Sequence, residues 1–285
     1  MSTGPVARML DATRLHLHHG PIDLIIDAWG PDRQRALGQA DTRFQTVLTE
    51  LVDELALLRA PLGGAVAAGK VACRMVAAIA PFTGVFVTPM AAVAGAVADE
   101  VLTALVAGCD LERAYVNNGG DIAVWLAAGQ SLTAVIHNGR DTGRVRLDAA
   151  KSARGLATSG WRGRSHSLGI ADAVTVVART AAMADAAATL IGNAVDLPGH
   201  PAISRQAAQS LAPDSDLGDR LVTVNVGAMS ARDAQQAVAR GVACAQDMRQ
   251  RGLIEAAVVF LAGQNALCGE LILEQGAENA RLQIA

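Results

Sequence analysis

The feature that most restricts the fold of this sequence is a series of strand-like segments separated only by short turns. These segments are 112–117, 121–128, 132–137 and 143–148. Strands that follow one another without helices exclude the regular β-α-β alternation of a doubly wound parallel sheet. We therefore expect a meander within a mixed α/β (α+β) fold, in which a mostly antiparallel sheet packs against helices.

Helix-like segments and further strands flank this series. A helix start at Pro31 and Asp32 precedes an apolar stripe at helical spacing from Phe44 to Leu58. The other predicted helices are 65–80, 91–107, 181–194 and 231–251, and the other predicted strands are 14–28 (a hairpin), 173–178, 221–226 and 254–262. A loop is predicted from the end of the 181–194 helix to about 220. We expect a single domain over residues 1–285, a length that also suits two packed lobes.

Composition and patterning exclude several classes of function. A net charge of −3, with three tryptophans, one tyrosine and four phenylalanines, supplies neither the basic surface nor the stacking side chains of a nucleic-acid partner. The cysteines form no C-x-x-C pair, which argues against a disulfide framework or zinc ribbon. The N-terminal segment lacks a signal-peptide core, and Arg74, Pro81 and Asp99 interrupt the apolar stretches. We expect a cytoplasmic protein without a membrane anchor.

The segment Asn117-Asn118-Gly119-Gly120-Asp121 joins two predicted strands. Asn and Gly are the residues that a tight reversal with positive φ requires. Two adjacent amides and a carboxylate at a strand end could also reach the polar edge of a ligand. Both interpretations, a turn alone and a ligand-lining turn, stay open at this point.

A polar, glycine-containing loop is predicted to follow the short apolar strand that ends near Ala157. Its candidate ligand-binding residues are Thr158, Ser159, Gly160, Arg162, Arg164 and Ser165, and His166 follows them. Guanidinium groups pair with phosphate oxygens, and glycines allow backbone N–H groups to approach an anion. The alternative is a solvated basic loop with no ligand.

Asp185 and Thr189 are the polar exceptions in the apolar segment 182–191. At positions i and i+4 they share one face of the predicted helix, and a buried carboxylate there needs a hydrogen-bond donor or a cation. Carboxylate and hydroxyl oxygens are ligands that Mg²⁺ accepts. The alternative is that Thr189 or a neighbouring amide satisfies Asp185.

Several motifs occur in an order that resembles a known family. They are V-N-N-G-G-D-I-A, A-T-S-G-W, A-V-T-V-V-A and M-A-D-A-A-A-T, together with T-P-M-A-A-V-A-G-A-V-A-D, G-R-S-H-S-L-G-I-A-D-A-V-T-V and D-L-G-D-R. In this order the motifs resemble an uncharacterised branch of the ApbE-like superfamily of FAD:protein FMN transferases, over nearly the whole chain. The resemblance implies the ApbE-like fold.

The resemblance also implies a site and a reaction. Asp185, Thr189 and a backbone oxygen of Ala157 would bind Mg²⁺, which would bridge the pyrophosphate of FAD. A threonine of a flavin-accepting protein would attack, so that FMN is transferred and AMP leaves. The segments 117–121 and 158–159 would line the nucleotide pocket, and Asp185 and His166 would be the catalytic residues.

The sequence also departs from the transferases. A D-P-x-T-G segment is missing between His166 and Val174, and Ala94-Gly95 stands where the transferases carry Lys-Gly. The lipoprotein signal of the transferases is absent too. Three hypotheses follow: a Mg²⁺-dependent FMN transferase or FAD pyrophosphate-cleaving enzyme, a non-catalytic cofactor-binding or delivery protein, and a transferase or accessory protein for a different cofactor. The small-residue faces of the predicted helices 91–107 and 181–194 could pack within the fold or across a homodimer interface, and we expect a homodimer.

Overall fold

The computed structural model describes residues 4–64, 66–137 and 142–270, and it shows a mixed α/β protein. The helices are α1 (Arg33–Asp53), α2 (Leu55–Leu58), α3 (Lys70–Ile79), α4 (Val93–Val106, preceded by a 3₁₀ turn at Pro89–Ala92), α5 (Ala181–Ala194), α6 (Ala208–Leu211) and α7 (Ala231–Gln250). The strands are β1 (Val6–Met9), β2 (Leu15–His19), β3 (Ile22–Trp29), β4 (Arg113–Asn118), β5 (Asp121–Leu126), β6 (Ser131–His137), β7 (Thr142–Asp148), β8 (Gly155–Ser159), β9 (Ala173–Ala178), β10 (Ile203–Ala207), β11 (Leu221–Val226), β12 (Ala256–Leu261) and β13 (Gln264–Cys268).

Nine strands form a large sheet in the order β1-β2-β3-β4-β5-β8-β9-β12-β13, which confirms the expected sheet. The expected meander is wrong for its second half, because β6 and β7 pair only with each other in a two-stranded sheet. The place beside β5 is taken by β8, through the pairs Ile122↔Leu156 and Ala123↔Gly155. In β7 Val145 and Leu147 are buried between accessible arginines, so this hairpin has one apolar face.

The chain divides into two compact units. Unit 1 comprises 1–130, 154–157 and 178–186, and unit 2 comprises 131–153, 158–177 and 187–285. Both β8 and α5 therefore contribute residues to each unit.

The core of unit 1 forms where α1, α3 and α4 pack together and α4 covers β4 and β5. The buried face of α1 carries Ala36, Leu37, Ala40, Phe44, Val47 and Leu51. The long helix predicted to reach Leu58 is interrupted at Glu54, which caps the end of α1. The carboxylate of Glu54 accepts the backbone N–H groups of Ala68 (2.8 Å) and Gly69 (2.7 Å) just before α3 begins.

One helical segment among the described residues, Pro89–Val106, is long and apolar enough to cross a membrane by length and composition. More than half of it is buried inside the protein. Its Glu100 carboxylate is 3% exposed and accepts hydrogen bonds from Arg43 (2.9 Å) and Arg74 (3.0 Å). A buried helix with an ion-paired carboxylate has the pattern of a core helix.

The core of unit 2 is built on β12, whose first four residues are buried, and on α7, which packs against β12 and β13. Ser230 caps α7 by accepting the Asp233 N–H. The loop predicted to reach about residue 220 is wrong in part, because it contains β10 and α6. β10 pairs antiparallel with β11, and none of its own residues is buried, a pattern without the apolar runs that mark a buried strand.

Candidate functional site

The polar residues of α5 form one stripe along an otherwise buried helix. Asp185, Thr189 and Asn193 follow each other at intervals of four residues, and each is partly accessible to solvent. The intervening residues 186–188 and 190–192 are buried. A spacing of four places these side chains on one helix face, as the sequence predicted for Asp185 and Thr189.

The Asp185 carboxylate is held at the beginning of α4. Its Oδ2 accepts the backbone N–H of Gly95 at 3.0 Å, so an amide that can satisfy this carboxylate is present. Burial raises the pKa of Asp185 well above its usual range, and the negative charge of Asp121 raises it further. Hydrogen bonds from the Gly95 and Ala94 amides act in the opposite direction. Asp185 is therefore an anchored carboxylate whose charged form is disfavoured without a compensating cation.

A second carboxylate holds the beginning of α5 in the same way. Asp99, on α4, accepts the N–H groups of Ala181 (3.0 Å) and Ala182 (2.9 Å). The two helices approach so closely that a Cβ atom at Gly95 would lie 2.2 Å from the Ala181 carbonyl oxygen. In the sequence Asp99 stands out only as an interruption of an apolar stretch, and no local pattern indicates its partner.

The β4–β5 hairpin contributes the Asn-Asn-Gly-Gly-Asp segment. Gly119 (φ 65°) and Gly120 (φ 113°) form a two-residue turn between the paired residues Asn118 and Asp121, which confirms the predicted reversal. The Asn117 Oδ1 accepts the Gly120 N–H at 2.8 Å. Both asparagines are buried, so the Asn117 amide has a structural role in this turn.

Asn118 links the hairpin to the first turn of α4. Its Nδ2 donates to the Ala94 carbonyl oxygen at 3.1 Å, next to the amide that Asp185 engages. Asp121, at the other side of the turn, is partly accessible, and its charge acts on Asp185. In unit 1, Asn118 and Asp185 thus both contact the first turn of α4, and the charge of Asp121 acts on Asp185.

The residues predicted as a loop after Ala157 begin in strand β8, which is a correction for Thr158 and Ser159. The strand that begins with the apolar residues before them extends through Ser159. The Thr158 hydroxyl lies 2.9 Å from the Thr175 hydroxyl of β9. Ala157, predicted to offer a backbone oxygen to the metal, is fully buried in β8.

The following turn is held by Asp172. Its Oδ1 accepts the Trp161 indole N–H (3.3 Å) and Arg162 Nε (3.2 Å), and its Oδ2 accepts the Ala262 N–H (2.7 Å). The Arg162 guanidinium also stacks over the Trp161 ring at 4.2 Å. Because a Cβ at Gly160 would lie 2.4 Å from the Asp172 carbonyl oxygen, only glycine fits there. The Arg162 guanidinium, which was predicted to bind an anion, is therefore in contact with Asp172 and Trp161 within unit 2.

Arg164, Ser165 and His166 are exposed, whereas the chain after them is tightly held. Ser167 is buried, and the Asn193 Oδ1 accepts the Leu168 N–H at 2.9 Å. The Ile170 N–H donates to the Val195 carbonyl oxygen at 2.8 Å. The short connection between His166 and Val174 is thus fastened to the C-terminal part of α5.

The family model described as "AbpE bacteria" matches residues 6–267 of this chain, which is most of its length. The chain belongs to this AbpE family. The resemblance inferred from the motifs, to an uncharacterised ApbE-like branch, is thereby confirmed.

Relatives of this AbpE chain carry the name "UPF0280 protein", which states no activity. The protein of Methanothrix thermoacetophila is 42% identical over 114 residues, 38% of this chain and 46% of its own length. The protein of Methanopyrus kandleri is 40% identical over 129 residues, 44% of this chain and 49% of its own length. The chain therefore matches about half the length of these curated relatives.

A solved structure is similar to this AbpE chain across most of its length. It is the apo form of the Pseudomonas stutzeri flavinyl transferase ApbE, with 13% sequence identity and a TM-score of 0.45, and the match covers 93% of this chain and 95% of the other.

The residues at Asp185 have the donor chemistry that a magnesium ion accepts. The described part of the AbpE chain contains no group of three or more His, Cys, Asp or Glu side chains suited to hold a metal ion. Mg²⁺ commonly uses only one or two carboxylates and completes its shell with water and substrate phosphate. Asp185 supplies such a carboxylate in unit 1, and the charge of Asp121 acts on it.

Proposed function

We propose that this AbpE-family protein binds a flavin nucleotide together with Mg²⁺, and that Asp185 is the carboxylate that holds the cation. The observation that carries the proposal is the Asp185 carboxylate itself, which the Gly95 N–H holds at 3.0 Å on an otherwise buried helix and whose pKa is raised by burial and by the negative charge of Asp121. A divalent cation bound at Asp185 would stabilise its charged form. The flavin follows from the motifs that place the chain in its family.

Each residue has a distinct part in this proposal. The Gly95 amide holds Oδ2 of Asp185 and so fixes the carboxylate that would bind the cation. Mg²⁺, when bound, would neutralise charge on the phosphates. The reaction proposed is transfer of FMN to a threonine of an acceptor protein, or cleavage of the FAD pyrophosphate.

The experiment is a calorimetric titration of EDTA-treated protein with FAD, with and without Mg²⁺, followed by chromatography for AMP. We expect binding that requires Mg²⁺ and is lost in Asp185→Asn. Asp233→Asn is the matched control, because Asp233 is a carboxylate in the first turn of α7. Mg²⁺-independent binding, or full binding by Asp185→Asn, would contradict the proposal.

A second candidate is a flavin-binding or delivery protein without turnover. It is favoured by the fastening of the short connection after His166, where a D-P-x-T-G segment would otherwise extend, and by the use of Arg162 in the contact with Asp172. This candidate predicts Mg²⁺-dependent FAD binding with no AMP. Stoichiometric AMP release from FAD would exclude it.

A further inference from the structure

Asp99 and Asp185 lie on different helices, and each accepts a backbone N–H from the beginning of the other's helix. Asp99 of α4 binds the Ala181 and Ala182 amides at 3.0 and 2.9 Å. Asp185 of α5 binds the Gly95 amide at 3.0 Å. All of these residues belong to unit 1. We call this reciprocal arrangement the mutual capping pair.

The mutual capping pair supplies hydrogen-bond acceptors for N-terminal amides that have none within their own helix. The first amides of a helix have no carbonyl partner within it, and a carboxylate there also interacts favourably with the helix dipole. The Thr180 hydroxyl adds one more bond by accepting the Met183 N–H at 3.1 Å. Both ends are thus satisfied by side chains, and neither helix can lose its carboxylate without exposing the amides of the other.

The packing at the crossing leaves little freedom for the two helices to slide. A Cβ at Gly95 would lie 2.2 Å from the Ala181 oxygen, and on the side of strand β8 a Cβ at Gly155 would lie 2.1 Å from the carbonyl carbon of Thr180, which precedes α5. Ala181, Ala184 and Ala186 are fully buried. Asp185 is one turn beyond the amides that Asp99 holds, so a shift of the first turn of α5 would displace its carboxylate.

We propose that Asp99 is the positioning residue that sets the orientation of Asp185 for cation binding, through the mutual capping pair. This inference rests on the proposed function for the presence of a cation site at Asp185. Both oxygens of Asp99 accept amides of α5, so the role assigned to Asp99 is to position α5 and not to bind the cation.

The first test uses amide hydrogen exchange of the cation-free protein. Asp99→Ala is expected to speed exchange at Ala181 and Ala182, which lose their acceptor, and also at Gly95, which Asp99 does not contact. Unchanged exchange at Gly95 would show that the two ends are independent and would overturn the inference. Asp99→Asn keeps one acceptor oxygen and gives the same test should Asp99→Ala fail to fold.

The second test measures affinity for Mn²⁺ as a spectroscopic probe of the cation site. Asp99→Ala is expected to bind Mn²⁺ about tenfold more weakly, the usual cost of removing a residue that orients a ligand. Asp99→Asn should restore most of the loss, and Asp233→Ala should match the wild type. Equal affinity in Asp99→Ala would overturn the positioning role alone. Absence of Mn²⁺ binding by the wild type would overturn the proposed function as well.

Discussion

Arg43 and Glu100 form a buried ion pair between α1 and α4, with 2.9 Å between Arg43 Nε and Glu100 Oε1. Arg74 reaches the other Glu100 oxygen from α3 at 3.0 Å. The Glu100 carboxylate of the mostly apolar helix α4 therefore joins α1 and α3 to α4.

Replacement of Glu100 by Gln is expected to destabilise the protein by about 3 kcal/mol, because it leaves two guanidinium groups without the carboxylate between them. Urea denaturation of both proteins measures this change. Glu50→Gln is the matched control, since Glu50 also pairs with Arg43 (2.7 Å) but is about one-third exposed. It should cost about 1 kcal/mol or less, and equal losses in the two variants would contradict the prediction.

Gly95→Ala is expected to destabilise the protein by about 3 kcal/mol, since the new methyl group would overlap the backbone of α5 at Ala181. The control is Gly38→Ala on α1, where nothing lies within 4 Å of the position that the new Cβ atom would take. That change should stabilise by about 0.5–1 kcal/mol, the usual gain from replacing helical glycine. Thermal denaturation distinguishes the two, and a tolerated Gly95→Ala would show that the helices can separate.

Asp185→Asn is expected to change how stability depends on pH in the absence of divalent cations. The folded-state pKa of Asp185 is raised by burial and by Asp121, so the folded protein binds a proton that the unfolded chain has released. Its contribution is complete below the ordinary Asp pKa and is lost as pH rises through the raised value, with a limiting slope of about 1.4 kcal/mol per pH unit.

The variant lacks this loss and should gain stability over the wild type as pH rises. Asp27 and Asp99, whose pKa values burial also raises, are present in both proteins and largely cancel in the difference. The measurement is the free energy of unfolding by urea between about pH 5 and 8 in EDTA. Parallel pH profiles would show that Asp185 does not titrate differently on folding.

Ala262→Asn is expected to stabilise the β12–β13 turn by about 1 kcal/mol. Ala262 has φ 48° and Gly263 φ 79°, and Asn adopts this left-handed conformation more readily than Ala in a two-residue hairpin turn. The N–H bond to Asp172 is unaffected because it uses the backbone. Ala239→Asn, on the exposed face of α7, should instead destabilise slightly. A higher melting temperature for the first variant and a lower one for the second check the prediction.

Local sequence pattern predicted several elements with their bounds. Strand β9, helix α5 and strand β11 have the predicted bounds 173–178, 181–194 and 221–226; β9 is fully buried, α5 is mostly buried, and β11 is rich in the β-branched residues Val and Thr. Strand β1 was missed, since all four of its residues are exposed. Its pairing with β2 comes from backbone hydrogen bonds at the sheet edge, which leave no apolar periodicity in the sequence.

The residues of the candidate site were also predicted only in part. A carboxylate and a hydroxyl four residues apart in an apolar helix identified Asp185 and Thr189 directly. The partners of Asp185 could not be found by spacing, because Gly95 lies 90 residues away and contributes only its backbone. Asp172 was missed for a related reason, as its contacts with Trp161 and Ala262 depend on the path of the chain rather than on any local motif.

The division of α5 has a consequence for synthesis of the protein on the ribosome. Unit 1 needs residues 178–186 to complete it, although most of its chain ends at Gln130. The N-terminal strands and helices therefore lack residues 178–186 until the segments 131–153 and 158–177 of unit 2 have been translated, and they are incompletely packed until then. During that interval the first turn of α4 lacks the carboxylate that later closes it, so the nascent chain is the form most open to aggregation or to assistance by chaperones.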